Sequence, residues 1–540
     1  MNDKGISRRD FVSNVTTTAV AATLVPRTAR ASTGHLRSDE RLNVAIVGAG
    51  GMGMSNAEEL TSENIVALCD VDFAYVDRQL ADRMKEKDRS YRTEQEKQER
   101  IAKLDKLQAA YTKAKRYADF REMLEKQKDI EGVVIATPDH THAVIANTAM
   151  KLGKHVYVQK PLTYSVHEAR VLRETAKKTR VVTQMGNQGH SMDEARRINE
   201  WVQAGVIGPV HEVHIWTNRP IWPQGIPRPS GRYSPPRIVA SSGGAAASGG
   251  SAVPASLVAS GPAATAAPQP QPQEDRWNRT RITEEVAAAM ARRDYPVPPG
   301  LNWDLYLGPA QEVPYHPVYH PFNWRGWVDF GVGALGDMAA HLLDHPFWAL
   351  DLGYPTSIES TSSPWGGPSD QPATYPQAMT VHYQFPARGN RGPVRLYWYD
   401  GGLMPPRPEL MPFDMQFNRE GGVLYIGEKG ILIHETYGRN PRILPEPLLE
   451  AAMQVPRTMP RVPEKETHEL NWARAAKGIG KTTSPFEYAA PLTEVMLLGL
   501  VALRTGQGRK IYYDGELMKI TNIADANAFL KREYRNGWSL

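Results

Sequence analysis

Leu42-Asn43-Val44-Ala45-Ile46-Val47 runs without a break into Gly48-Ala49-Gly50-Gly51-Met52-Gly53. The first run is almost wholly apolar, the pattern of a strand buried on both faces of a parallel sheet. The glycines that follow suit a tight turn into a helix reaching about Leu60. Gly48 permits the turn, Gly50 lets the backbone approach a pyrophosphate, and Gly53 allows close helix–strand packing. The helix start at Gly51 and Met52 offers free N–H groups and the positive end of a dipole to phosphates. Glycine spacing alone is weak evidence, but here a strand precedes it and a helix follows. A second strand, Ile65–Leu68, leads to Asp70-Val71-Asp72, which puts Asp70 where a ribose-binding acid is expected. A carboxylate there bonds a free 2′-hydroxyl and repels a 2′-phosphate. With no arginine directly after it, the expected cofactor is NAD, with NADP as the other option.

Upstream of this stretch, Ser7-Arg8-Arg9-Asp10-Phe11-Val12 forms a twin-arginine pattern. A weakly apolar run to about Val25 and small residues at Ala29-Arg30-Ala31 complete the form of an export signal over residues 1–31. The run is roughly half the ~20 residues a membrane span needs, so no membrane span is expected there. A disordered tail with an accidental Arg-Arg is the competing account. An exported, periplasmic location follows from the signal, and the twin-arginine route suits a protein that folds around a cofactor before transport. The 540-residue chain has a net charge of only +5 with both signs mixed, and no basic block suggests nucleic acid. Its one cysteine, Cys69, excludes an internal disulfide and lies in an apolar run that reads as inert core.

Downstream, residues 81–116 are charged with sparse apolar positions and read as an exposed helical insertion without chemistry. Alternation then resumes: a helix from Phe120 to about Gln127, the strand Gly132–Ala136, a helix from Ala143 to Leu152, and the strand His155-Val156-Tyr157-Val158-Gln159. Lys160-Pro161-Leu162 follows. Proline ends the ladder and presents Lys160 at a strand end, where open α/β sheets bind ligands. A merely solvated lysine is the plain alternative. A sixth strand within Val182–Gln188 completes a doubly wound parallel sheet over residues 40–190.

Residues 191–540 read as a second, α+β domain. A helix Asp193–Ala204 precedes the strand Val210–Trp216, and antiparallel strands are expected at Ala378–Phe385, Val394–Tyr399, Val423–Ile426 and Gly430–His434. Helices are expected near Thr283, at His468–Lys477 and at Pro491–Thr505. Residues 238–275, rich in Ala, Ser, Gly and Pro and nearly free of charge, read as a mobile low-complexity excursion. Two polar groups stand out. Asn187, Gln188 and His190 either face a substrate or make up a polar loop. Asp337 and His341 are four apart, so on a helix they share one face. They suit acid–base chemistry, a metal pair with Asp344 and His345, or a solvated face; without a third ligand at familiar spacing, no metal is assigned.

The glycine loop, the Ala136-Thr137-Pro138 turn with His142, the lysine–proline strand and the Asp337/His341 pair together resemble the Gfo/Idh/MocA oxidoreductases, relatives of glucose–fructose oxidoreductase and inositol dehydrogenase. The resemblance implies a Rossmann domain followed by an α+β domain with an open, mostly antiparallel sheet whose outer face joins subunits into a homo-oligomer. It implies cofactor contacts at Gly48, Gly50, Gly51, Met52, Gly53, Asp70, Thr137, Pro138, His142, Gln159, Lys160 and Arg325, and a substrate contact at Trp324; Asn187 and Gln188 stay candidates for substrate contact from their place in the chain alone. It further implies His341 as base, Asp337 as positioning acid and Lys160 at the nicotinamide ribose and substrate hydroxyl. An unperturbed imidazole titrates near ~6.5, which suits a neutral-pH base. The family's usual Glu-Lys-Pro is Gln159-Lys160-Pro161 here, and a neutral amide holds an ammonium charged less strongly than a carboxylate does.

The expected activity is NAD(P)-dependent oxidation of a sugar or polyol hydroxyl. Outside the cytosol no soluble nicotinamide pool is expected, so the cofactor should be tightly bound and regenerated in place. Two alternatives remain: a glycoside hydrolase working through transient oxidation and elimination at the same site, and a non-catalytic sugar-binding protein with a vestigial nucleotide site.

Overall fold

The computed structural model describes residues 40–230 and 284–540. The expected export signal at 1–31 and the low-complexity segment at 238–275 lie outside the described residues.

Six parallel strands form the first sheet: β1 (Asn43–Val47), β2 (Asn64–Cys69), β3 (Lys115–Tyr117), β4 (Gly132–Ile135), β5 (His155–Gln159) and β6 (Thr183–Gly186). Their order is β3-β2-β1-β4-β5-β6. This is a Rossmann arrangement, and its order reverses between β1 and β4, where such sheets bind ligands beyond the strand ends. β4 is buried along its whole length, and β1 and β5 at every residue but their first. That is why these strands read as unbroken apolar runs.

The stretch 81–116 corrects the expectation of an exposed insertion. Its helix Glu94–Lys113 carries the chain from β2 to the edge strand β3, burying Leu104, Leu107 and Tyr111. The Tyr111 hydroxyl donates to the Ala49 carbonyl at 2.7 Å, behind the glycine loop. Arg100 pairs with Glu58, and Lys103 with Glu59 at 2.7 Å, both on the glycine-loop helix Gly51–Glu59. The high charge count hid a crossover helix because its outward faces are salt-bridged and its inward positions are few.

The second sheet has nine strands. They are β7 (Val210–Thr217), β8 (Ser357–Ser362), β9 (Met379–Phe385), β10 (Val394–Tyr399), β11 (Gly421–Gly427), β12 (Ile431–Glu435), β13 (Arg442–Leu444), β14 (Ile511–Asp514) and β15 (Lys519–Ile520). The order is β13-β12-β11-β7-β10-β9-β8-β14-β15. β7 and β10 are parallel and the other neighbouring pairs antiparallel. β8, Ser-Ile-Glu-Ser-Thr-Ser, escaped the sequence reading because its composition is polar, although Ile358 is fully buried.

One long helix ties the halves together. It spans Phe486–Thr505, so Pro491 lies within it and does not start it as expected. It packs on the helix Val166–Thr179 of the first domain, on β8, and on the helix Gly333–Leu342. By length and hydropathy it passes the test for a membrane span, but it is mostly buried inside the protein.

At the seam, Arg170 pairs with Glu494, whose side chain is fully buried, through two guanidinium nitrogens, and Tyr513 donates to the same carboxylate at 2.6 Å. Breaking such a pair leaves a charge buried without compensation. Arg170→Met should therefore lower unfolding stability by about 3 kcal/mol or more in urea titrations. A loss below about 1 kcal/mol would show that the pair does not hold the domains together.

Candidate active site

The glycine loop is built by steric necessity. Gly48 has φ +81°, and a Cβ there would lie 2.7 Å from the Ala136 carbonyl carbon. A Cβ on Gly53 would fall 1.8 Å from the Gly48 oxygen, so this glycine serves packing beneath the loop. The helix Gly51–Glu59 has no side-chain cap at its start, which leaves its first N–H groups facing a cavity lined by Gly48, Gly50, Gly51 and Met52. Asp70 lies at the end of β2, where its carboxylate accepts N–H bonds from Gly50 at 3.3 Å and Asp72 at 2.9 Å. Burial outweighs these bonds and pushes the Asp70 carboxyl up to about 6. Thr137 and Pro138 line the same cavity from the end of β4. Bare N–H groups, a backbone with no room for side chains and an acid at the β2 end fit a dinucleotide with its phosphates on the helix start.

The same cavity, about 600 Å³, continues to the reactive cluster. Lys160 Nζ lies 2.7 Å from Asp337 Oδ1 and 2.8 Å from the Asp337 carbonyl oxygen. Arg325 Nε is 3.6 Å from the same carboxylate oxygen, and its guanidinium lies over the Trp324 ring at 4.3 Å. Burial alone would raise the Asp337 carboxyl, but Lys160 and Arg325 prevail and bring it down to about 2.

His341 follows one turn later on the helix Gly333–Leu342, 4% exposed, and its Nδ1 has no hydrogen-bond partner among the described residues. Burial and then the Lys160 charge bring its imidazole down to about 3, against the weaker opposing pull of Asp337. The expectation of an ordinary imidazole is thus corrected: the ring stays neutral across the working range, in the form that accepts a proton.

Residue 159 also differs from expectation. The counter-charge of Lys160 is Asp337, so the missing glutamate before the lysine does not leave the ammonium unpaired. Gln159 Nε2 donates to Asn56 Oδ1 at 3.0 Å, and Asn56 Nδ2 donates to the buried Glu469 at 2.7 Å. With its N–H₂ group so engaged, Gln159 lines the cavity as a neutral residue.

Gly48, Gly50, Gly51, Met52, Asp70, Thr137, Pro138, Gln159, Lys160, Gln188, Trp324, Arg325, Asp337 and His341 all line the one cavity. His142 does not. Its ring nitrogens each lie 2.8 Å from a carbonyl oxygen, of Pro161 and Thr137, so it braces the two turns from behind. Asn187 is fully buried away from the cavity, with both its side-chain polar atoms unpartnered among the described residues. His190 donates to Asp344, which also accepts from the Tyr488 hydroxyl at 2.6 Å. No group of three His, Cys, Asp or Glu side chains suited to a metal occurs among the described residues.

The sequence reading missed Asp139, Arg219, Trp222, His320, Tyr437 and Arg439, all on the cavity wall. Asp139 had a signal, as an acid directly after the strand-end Thr-Pro turn. The others come from loops with no motif.

Asp139 accepts the Val332 N–H at 3.1 Å, and burial pushes its carboxyl up to about 7, with Arg325 opposing. A folded-state value above the unfolded one stabilises the fold at low pH, and that contribution is lost as pH rises from about 4 through about 7. The cofactor-free Asp139→Asn variant should therefore gain stability relative to the parent across this window, by roughly 2–4 kcal/mol. Parallel stability–pH curves for the two proteins would refute the assignment.

Comparison with known proteins agrees with this geometry. Residues 42–187 match the family model "Oxidoreductase family, NAD-binding Rossmann fold", and residues 287–364 match "Oxidoreductase family, C-terminal alpha/beta domain". A glycosyl hydrolase family 109 protein of Shewanella sp. (strain ANA-3) is 30% identical over 174 residues, 31% of this chain and 33% of that protein. The scyllo-inositol 2-dehydrogenase (NAD(+)) of Bacillus subtilis is 32% identical over 115 residues, 21% of this chain and 30% of that protein. The chain thus spans about a third of the length of these curated relatives. Among solved structures, the WlbA dehydrogenase of Bordetella pertussis, in complex with NADH and UDP-GlcNAcA, superimposes with TM-score 0.50 at 12% identity, covering 88% of this chain and 99% of that one. That likeness speaks to the fold. Both matched models describe the Gfo/Idh/MocA oxidoreductase family, and they fall on the chain in the order of its two domains.

Proposed function

We propose that the protein is an exported NAD(P)-dependent oxidoreductase acting on a sugar or polyol hydroxyl, with NAD preferred through Asp70. The observation that carries this reading is the Lys160–Asp337–His341 cluster at the far end of the cavity that begins at the glycine loop. A bound nicotinamide supplies the hydride acceptor. The chain's own groups handle the proton and the charge. His341, neutral and buried, accepts the proton of the substrate hydroxyl. Lys160 donates to the hydroxyl oxygen and stabilises negative charge as it develops there. Asp337 holds Lys160 through two contacts, its carboxylate and its carbonyl, so that the ammonium is aimed before substrate arrives. Trp222 and Trp324 give the wall an apolar, aromatic lining of the kind common in small-molecule sites.

The twin-arginine pattern supports export, and with it a tightly held cofactor regenerated in place. A homo-oligomer formed through the second sheet is part of the same reading. The similarity to a glycosyl hydrolase family 109 protein favours a second reading, a redox-neutral glycosidase that oxidises, eliminates and reduces at the same residues. A sugar-binding protein with a vestigial nucleotide site would have no use for the complete Lys160–Asp337–His341 cluster.

The purified protein, offered a panel of free sugars, polyols and aryl glycosides, separates these readings. Reduction of the bound nicotinamide by a free sugar or polyol supports the oxidoreductase, and aryl alcohol release without net reduction supports the glycosidase. Failure to bind nicotinamide refutes both. Lys160→Ala and His341→Asn should each lower turnover by about a thousandfold or more while nicotinamide affinity changes by less than about tenfold. Undiminished turnover in Lys160→Ala would leave that lysine only a structural partner of Asp337.

A further inference from the structure

Two arginines reach the substrate end of the cavity without a carboxylate partner among the described residues. Arg219 follows β7, its carbonyl accepting the Gly401 N–H at 2.7 Å, and among the described residues its guanidinium donates only to Asn218 Oδ1. Arg439 lies in the turn after β12, and its guanidinium sits over the Tyr437 ring at 5.3 Å. Tyr437 packs edge-on against His341, ring centroids 4.7 Å apart, and its hydroxyl has no hydrogen-bond partner among the described residues. Burial and the Asp337 charge push that hydroxyl up while Arg219 and Arg439 pull it down, which sets both positive charges beside it.

The carboxylates on the wall are committed elsewhere. Asp337 is held by Lys160, Asp70 by the glycine loop, Asp139 by the Val332 N–H and Asp119 by Arg121. The turn itself is wound at a cost. Tyr437 has φ +67° and ψ +16°, a left-handed conformation that a tyrosine rarely adopts, and Asn440 has φ +49°. Backbone strain of this kind clusters at active sites and ligand clamps. Two forked guanidinium groups and a free phenol around one space match the oxygens of a carboxylate, sulfate or phosphate.

We infer that the substrate is a carbohydrate bearing an anionic group, which Arg219, Arg439 and the Tyr437 hydroxyl seat beside His341. The inference rests on the reading of this cavity as a sugar site and names its substrate class. The anion anchors one end of the sugar ring and so fixes which hydroxyl meets His341 and Lys160. A neutral sugar lacks that anchor and leaves two cations to solvent.

Calorimetric titration of the nicotinamide-loaded protein tests this without requiring turnover. Matched pairs serve as probes: D-glucuronate with D-glucose, D-galacturonate with D-galactose, and glucose 6-phosphate and glucose 6-sulfate with glucose. At least one anionic sugar should bind about ten- to a hundredfold more tightly than its neutral partner. The preference should weaken as salt rises from about 50 to about 500 mM. It should fall to within about twofold in Arg219→Gln/Arg439→Gln. The lysine double variant, which keeps charge but loses the fork, should retain part of it. No anionic sugar binding more tightly than its partner, or a preference that survives the glutamine variant, overturns the inference. Tight anionic binding without nicotinamide reduction would count against the oxidoreductase reading and leave this inference standing. Turnover of neutral sugars without anion preference would do the reverse.

Discussion

Lys160 and Asp337 meet across the boundary between two domains that are 177 residues apart in sequence at this contact. Both side chains are 16% exposed. Burying either charge alone would cost several kcal/mol, so each domain needs the other for its half of the pair. The strand end that carries Lys160 and the helix that carries Asp337 and His341 are thereby docked by the same contact that arms the site. Arg325 adds a second cation at 3.6 Å, which keeps Asp337 ionised despite its burial. The electrostatics of the neighbourhood follow from this arrangement. The Lys160 charge adds to burial in keeping His341 neutral, and the Asp337 charge adds to burial in raising Asp139.

Behind the ion pair runs a buried polar chain. Glu469, on the helix His468–Ala476, accepts from Asn56 on the glycine-loop helix and from the Tyr157 hydroxyl on β5 at 3.2 Å. Asn56 in turn accepts from Gln159, next to Lys160. Gly186 lies against the Gln159 side chain so closely that a Cβ would come within 2.9 Å of it. The nucleotide end and the reactive end of the cavity are therefore held in register by the interior of the protein, through a residue near the far end of the chain. In such a network each member satisfies the next, and a partly satisfied one would be worse than none.

Much of the first domain was legible from the sequence because its signals are local. A strand buried on both faces is apolar at every position, and a glycine is needed wherever a Cβ would strike backbone, as at Gly48 and Gly53. The Asp337/His341 pair was legible because helical spacing alone puts both on one face. The misreadings have equally physical causes. His142 looked like a ligand because nothing in the sequence reveals that two carbonyl oxygens claim its ring. The helix Glu94–Lys113 looked solvated because three buried positions in twenty residues make a faint periodicity.

The sequence by itself determined the strand–loop–helix geometry at Gly48–Gly53, the lysine at a strand end and the acid–histidine pair, since each depends on neighbours within a few residues. Only the tertiary structure decided what those groups face. It gave Lys160 its carboxylate in Asp337 where the adjacent residue is an amide. It drew His341 down to about 3 by burial and made Asp139 a group that titrates near 7. It also brought Arg219, Tyr437 and Arg439 to the cavity wall from loops on separate strands of one sheet. Burial and the distance between charges are properties of the packed chain, and no local pattern of residues carries them.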